Sequence, residues 1–357
     1  MSAKRRASLF AIMLFWAPAC TAEEGFAGLG AEASGFSAVV PGKTLVFPQD
    51  FAAHPGFRTE WWYLTANLKD ASGASYGVQW TLFRFGTEAG PERAGWANKD
   101  IWMGHAAVTS AADHLFAQTL ARGGIGQAGV GAAPFRAWID NWSFAALDDA
   151  VDAGLSRARV SADGPSFRYT LDLATDKPIV LHGDKGFSRK SDRGQASYYF
   201  SQPSFAVNGV LAIRGQEVRV SGKAWMDREW SSQPLAADQK GWDWFSLHLS
   251  SGENLMLFRL RSASGGNYFA GTWIAPDGTA HALEADDIAF APISTTNVAE
   301  RTLPTSWRVQ VKSHALEIET KPLNAQSWMA TRFPYWEGPI SFSGSHLGEG
   351  YLEMTGY

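Results

Sequence analysis

Trp61-Trp62-Tyr63-Leu64-Thr65-Ala66-Asn67-Leu68 and Trp242-Asp243-Trp244-Phe245-Ser246-Leu247-His248-Leu249 read as two copies of one pattern. Each is followed by a polar Ser-Gly turn and then by a strand-like run ending in Phe-Arg, Val78–Arg84 in the first copy and Leu255–Arg259 in the second. A third run follows in both, Trp102–Ala106 and Tyr268–Trp273. Large side chains alternate with smaller ones at the two-residue period of a strand, not the 3.6-residue period of a helix. A repeat at an offset of about 180 residues predicts two related β domains. Their junction is expected near Ser221–Trp225, which gives an N-terminal domain over 45–222 and a C-terminal one over 223–357.

The same signals recur outward from these copies. Phe167–Leu173, Glu217–Gly222, Trp307–Lys312 and Ala315–Lys321 alternate and close on Gly, Asp, Asn or Ser, as strands and their turns do. No long amphipathic helical period lies between them. The 357 residues hold 16 Trp, 22 Phe and 36 Gly with only 18% charged residues, which excludes disordered and coiled-coil classes and makes an all-β fold the expectation. Formal charge is −4, and without Lys4, Arg5 and Arg6 it falls to −7. That balance excludes nucleic acid as a partner, which requires a basic face.

Those three basic residues open an export signal. A basic start, the apolar run Leu9–Ala17 and the small residues Ala17-Pro18-Ala19 form its three parts over residues 1–20, and the run is too short to span a bilayer. Cys20, the only cysteine, follows directly, so Ala17-Pro18-Ala19-Cys20 resembles a bacterial lipobox, with Ala17 where Leu is usual. Two expectations follow: an exported, periplasmic protein, and lipidation at Cys20 as its one membrane contact. Simple cleavage after Ala19 or Ala22 is the alternative. With a single cysteine no internal disulfide can form. Residues 21–44, rich in Gly, Ala and Ser, read as a tether.

Acidic residues cluster with aromatic ones at Glu60-Trp61-Trp62-Tyr63, Asp227-Arg228-Glu229-Trp230 and Tyr335-Trp336-Glu337, and more loosely at Tyr351–Tyr357. A carboxyl walled by rings is desolvated, which raises its pKa and suits it to general-acid work near neutrality. The competing reading is a polar plug in which Arg58 neutralises Glu60 and Arg228 neutralises Glu229. Gly73–Gly77 satisfies G-x-S-x-G but falls in a turn between strands, where a nucleophile elbow needs a strand before and a helix after. Gly124–Gly129 satisfies G-x-G-x-x-G but opens no helix. The eight histidines show no metal-ligand spacing, so neither a metal nor a cofactor is expected. His54, beside Pro55-Gly56, is read as a loop histidine at a cavity mouth. His105 and His248 fall within strands.

Taken in order, His54-Pro55-Gly56 with Glu60–Tyr63, Asp227–Ser232, Gly241–Phe245, Tyr335–Gly338 and Gly350–Tyr357 resemble the AttH family, the lipocalin-like group that includes carotenoid 1,2-hydratase. The resemblance covers about residues 45–357. It implies two tandem lipocalin-like β barrels and a hydrophobic small-molecule ligand, held within a barrel or between the two. It also implies a possible permease partner of the lipoprotein-release ABC type. If the chain adds water to an isoprenoid double bond, Asp227 is the first candidate proton donor and Glu229 the second. Ligand contacts are then expected from His54, Glu60, Trp61, Trp62, Tyr63, Trp230, Trp242, Trp244, Tyr335, Trp336 and Glu337. Three functions compete. A carrier would pair all its carboxylates, and a hydratase would leave one unpaired toward an apolar pocket. A glycoside-cleaving protein would set two carboxyls ~5–9.5 Å apart across an open groove.

Overall fold

A computed structural model describes residues 24–148 and 154–357; the expected export signal and Cys20 lie outside the described residues. The described chain consists of strands, connecting loops and five single-turn 3-10 helices. An antiparallel meander comes first: β1 (Thr59–Asp70), β2 (Ser75–Gly86), β3 (Asp100–Ser110) and β4 (His114–Arg122). Shorter strands follow, β5 (Ala128–Ala132), β6 (Phe135–Ile139), β7 (Trp142–Ala146), β8 (Arg157–Gly164) and β9 (Phe167–Ala174). Two stubs, β10 (Val180–Leu181) and β11 (Phe187–Arg189), precede the long β12 (Ala196–Ile213) and β13 (Gln216–Ser231). The sheet runs β4-β3-β2-β1-β13-β12-β9-β8-β7-β6-β5, with β10 and β11 on β12, and it curls until β4 packs against β6 and β8.

The second sheet repeats this plan. β14 (Gln239–Leu249), β15 (Asn254–Ser262), β16 (Tyr268–Ile274) and β17 (Ala280–Leu283) form its meander. β18 (Ile288–Val298), β19 (Arg301–Val311), β20 (Leu316–Pro322), β21 (Trp328–Met329), β22 (Tyr335–Gly344) and β23 (Gly348–Thr355) complete it. Its order is β17-β16-β15-β14-β23-β22-β20-β19-β18, with β21 on β22 and β16 curling back against β18. In both sheets the opening strand pairs with the closing one, β1 with β13 and β14 with β23. The chain is therefore two barrel-like β units, as the repeat predicts. The division between them differs from the expected 222/223: β13 runs unbroken to Ser231 and the second sheet begins at Gln239, because Lys223–Ser231 must pair with β1 to finish the first barrel.

Burial explains why the quoted segments are so rich in large side chains. β9 alternates buried and exposed residues throughout, the pattern of a strand with one wet face. β1, the second half of β13 and most of β14 are buried on both faces. One face fills a barrel: Trp62, Leu64, Trp80 and Trp230 in the first, Phe245, Trp307, Trp336 and Leu352 in the second. The other face meets the neighbouring barrel in a third core, with Tyr63, Tyr199, Trp225, Trp244, Phe258 and Tyr351. Both barrel interiors are thus packed with side chains. Buried hydrogen bonds stitch the seam, from the Asn67 amide to the Gly350 carbonyl (2.8 Å) and from the Trp244 indole to the Tyr199 hydroxyl (3.2 Å).

Residues 24–44, expected as a tether, pack along the body instead. Gly25 N–H donates to the Ala237 carbonyl (3.0 Å), the Gln233 amide to the Gly30 carbonyl (2.9 Å), and Val40 N–H to the Tyr198 hydroxyl (3.0 Å). Phe26 sets its edge on Trp242 at 5.4 Å. The composition that mimics a linker serves close packing here. A Cβ at Gly30 would come within 2.8 Å of the Glu24 carbonyl and 2.9 Å of the Ala236 carbonyl.

Candidate active site

Strand alternation sorts the aromatic-acidic clusters. On β1, Trp61 and Tyr63 point to the seam while Glu60 and Trp62 point into the first barrel. On β13, Asp227 and Glu229 share the seam face and Arg228 and Trp230 the barrel face, and on β22 Tyr335 and Glu337 part from Trp336 in the same way. Trp242 and Trp244 supply the seam face of β14.

A cavity of about 130 Å³ lies in this seam. At roughly 10–15 Å³ for each water it could hold, that is room for a small organic ligand. Its walls are mainly apolar: Trp61, Phe83, Phe85 and Met103 from the first barrel, Trp242, Trp244, Phe258 and Leu260 from the second, with Phe26, Leu29 and Leu235 at one side. Asp227, Glu229, Glu353, Lys190, His105, Tyr63, Tyr199 and Tyr335 bring polar atoms to it. No group of three or more His, Cys, Asp or Glu among the described residues is placed to hold a metal ion.

Asp227 is 4% exposed and lies opposite Tyr63 on β1 and Ser201 on β12. Its Oδ2 accepts the Tyr199 hydroxyl (2.8 Å), and its Oδ1 accepts the Trp225 indole (2.6 Å) and the Ser201 hydroxyl. Behind Ser201 stands His182, whose ring nitrogens contact Ser201 Oγ (2.6 Å) and Thr272 Oγ1 (2.8 Å). Burial pushes that imidazole down to about 3, so it is neutral near pH 7. Among the described residues no cation pairs with Asp227. Burial therefore outweighs the three donors and raises its carboxyl to about 7.

Glu229 differs in having a counter-charge. Lys190 Nζ lies 2.8 Å from its Oε1, which also accepts the Ser197 hydroxyl, and the ammonium rests over the Tyr199 and Phe258 rings at 4.9 and 4.3 Å. Glu353 lies opposite Trp244 and accepts the Trp242 indole N–H. Burial, followed by the nearby charges of Asp227 and Glu229, raises it to about 7. Glu337, its cross-strand neighbour, accepts the Tyr63 hydroxyl, and burial with repulsion from Glu353 lifts it well above the ordinary range. His105 completes this side, its Nδ1 3.0 Å from the Tyr335 hydroxyl and its ring pushed by burial to about 3.

The structure thus brings Asp227 and Glu229 to one apolar cavity with Trp61, Tyr63, Trp242, Trp244 and Tyr335, and sets Glu337 just behind its wall. It places His54, Glu60, Trp62, Trp230 and Trp336 elsewhere. Trp336 is core of the second barrel and gives its indole N–H to the Ala325 carbonyl (2.9 Å). Trp62 donates to the Phe51 carbonyl (2.8 Å) inside the first. Glu60 is the anion of a plug in that barrel, bonded to Arg84 and Arg228 and to His54 N–H (2.8 Å). Arg84 and Arg228 replace the expected Arg58, whose guanidinium reaches the Gly28 carbonyl (3.2 Å) instead. His54 stacks on Trp230 at 4.1 Å and contacts Asp50 at 2.9 Å, a part of the plug and not of a cavity mouth.

Sequence reasoning missed Tyr199, Ser201, Lys190 and His182, because nothing local marks them: β12 and the loop before it look like any strand and turn. Glu353 did carry a signal. It sits among aromatic residues in the loose Tyr351–Tyr357 cluster, and the fold then makes it the counterpart of Asp227, since the two lie across from the repeat-equivalent Trp244 and Tyr63.

The comparisons agree with this architecture. The chain matches the AttH-like family model over residues 38–357. A protein of Nitrosomonas europaea described as an AttH has a solved structure that superposes with a TM-score of 0.80 at 34% identity, covering 90% of this chain and 100% of that one. Kievitone hydratase from Nectria haematococca shares the fold at TM-score 0.67 and 16% identity, covering 91% of this chain and 96% of that one. CghA, solved with Sch210972, does so at 0.51 and 14%, covering 91% and 97%. No curated protein sequence matches. With a family match running through both barrels and a third of positions identical to a solved AttH over its whole length, this chain belongs to the AttH-like family.

Proposed function

We propose that the seam cavity is the active site of a hydratase-type lyase acting on an apolar alkene, with Asp227 as the general acid. One observation carries this reading: Asp227 is a buried carboxyl without a cationic partner among the described residues, and it keeps a proton up to about pH 7 in a cavity walled by Trp61, Trp242 and Trp244. Proton transfer from Asp227 to one alkene carbon leaves a carboxylate and a carbocation. Tyr199, Ser201 and Trp225 then stabilise the carboxylate, since hydrogen bonds to an oxyanion strengthen as charge develops. Indole faces attract the cation by their quadrupole. Water adds to the cation and gives an alcohol. Glu229, already neutralised by Lys190, is the weaker candidate donor. A hydratase among proteins of the same fold is consistent with this chemistry. The mainly apolar walls of the seam do not suit glycoside cleavage, whose substrate is polar.

Export, lipidation of Cys20 and an ABC-type permease partner belong to the same proposal and rest on residues 1–20 and the family. Incubating the purified protein with farnesol, an acyclic isoprenoid with trisubstituted double bonds, tests the chemistry. Gain of the mass of one water, lost in Asp227→Asn, is the expected result. Farnesol bound with micromolar affinity but returned unchanged would replace the hydratase by a carrier.

A further inference from the structure

Resting on the hydratase reading, we propose that Glu353 is the general base that takes the proton of the attacking water, making the site a two-carboxyl device with one group from each barrel. The closing strands β13 and β23 hold equivalent places in the two sheets, and Asp227 and Glu353 hold equivalent places on them, opposite Tyr63 and Trp244. Two seam faces meet, so both carboxyls line the same cavity.

Their surroundings differ in the way two roles require. Both oxygens of Asp227 are engaged by donors, which suits a group that must become and remain an anion while the cation exists. Glu353 has one side-chain hydrogen bond, from the Trp242 indole to Oε1. Among the described residues nothing occupies Oε2, which is left to accept from a water in the cavity. Among the described residues neither group pairs with a cation, whereas Glu229 beside them does. Their mutual repulsion favours one shared proton over two charges.

The steps balance. Asp227 gives its proton to one alkene carbon, the π pair forms the new C–H bond, and the neighbouring carbon becomes cationic. A water oxygen pair forms the C–O bond while one O–H bond breaks toward Glu353 Oε2. The product is the alcohol, Asp227 is left ionised and Glu353 protonated. One proton passing from Glu353 to Asp227 through solvent after release restores the start.

The test separates the two half-reactions with farnesol in deuterated water. Wild type is expected to give deuterated alcohol, and Asp227→Asn neither alcohol nor deuterium in recovered alkene. Glu353→Gln is expected to lose the alcohol by ~10²–10⁴-fold. It should still place deuterium in recovered or double-bond-shifted alkene, because the cation forms and collapses by proton loss. Glu353→Asp should restore part of the alcohol. Full alcohol formation in Glu353→Gln, or loss of deuterium along with alcohol in a variant whose thermal unfolding matches wild type, overturns the assignment to Glu353 and leaves Asp227 standing. A wild type that never hydrates farnesol removes the hydratase reading, and this inference with it.

Discussion

Glu60 on β1 and Asp227 on β13 lie on paired strands three residues apart in register, and both side chains are buried, yet they face opposite ways and hold opposite charge states. Inside the barrel, burial favours protonation of Glu60, but Arg84, Arg228 and the His54 ring overcome it and hold the carboxylate far below its ordinary range. In the seam, burial of Asp227 meets only neutral donors and wins. Burial alone therefore does not decide whether an acidic side chain is a structural anion or a proton reservoir. The presence of a fixed cation decides it: Arg84 and Arg228 stand at Glu60, whereas the seam's Lys190 is taken up by Glu229 and no cation pairs with Asp227 among the described residues.

The largest effect should come from breaking the plug. Glu60→Gln leaves the buried Arg228 with no carboxylate and Arg84 with only Asp100 at 2.9 Å, and should cost about 3–5 kcal/mol in denaturant unfolding. Asp227→Asn should leave stability near wild type at pH 5 while abolishing water addition. If the two variants were equally destabilised, both carboxyls would be structural and the contrast would fail.

The pH dependence sharpens the comparison, because the two groups contribute with opposite sign. Glu60 binds its proton more weakly in the folded chain than in the unfolded one. Its stabilisation is present above the unfolded carboxyl pKa of 4.5 and is lost as pH falls toward its folded value. Asp227 binds its proton more tightly when folded. Between its ordinary 3.8 and about 7 the native state retains a proton that the unfolded chain has released, so stability declines as pH rises through that window and levels off above it. Glu353 adds to the same decline from 4.5 to about 7. Melting temperatures from pH 4 to 8 should fall less steeply in Asp227→Asn than in wild type. Water addition should peak near pH 7, falling above it as Asp227 loses its proton and below it as Glu353 gains one and can no longer take the proton of the water. An unchanged slope in the variant would mean that Asp227 is already ionised in the folded protein.

Smaller still is Trp242→Phe, which keeps a ring against the cavity but removes the one side-chain hydrogen bond that Glu353 makes among the described residues. Glu353 should then hold its proton to higher pH, seen as an upward shift of its carboxyl titration by isotope-edited infrared spectroscopy, with a several-fold loss of rate. Trp62→Phe, one residue along from the seam-facing Trp61 but inside the barrel, should change stability and leave that titration alone.

The sequence by itself determined the all-β class, the ten strand segments quoted, and the repeat and hence two units, and it singled out the Asp227 cluster as a candidate. These are local properties: a two-residue period, turn residues at its ends, and carboxyls among rings are written along the chain. Only the tertiary structure decided which face of each strand mattered. Trp61 and Trp62 are the same side chain one residue apart, one half-buried and the other buried, because barrel–barrel packing covers one face of β1 and barrel packing the other. No alternation survives to say which points to the cavity. Partners chosen by strand pairing were equally out of reach: Arg84 and Arg228 at Glu60, Lys190 at Glu229, Tyr199 and Ser201 at Asp227. Charge state at a buried carboxyl depends on what lies within a few ångströms, and in a sheet whose neighbours lie tens to hundreds of residues apart along the chain, that is set by the fold.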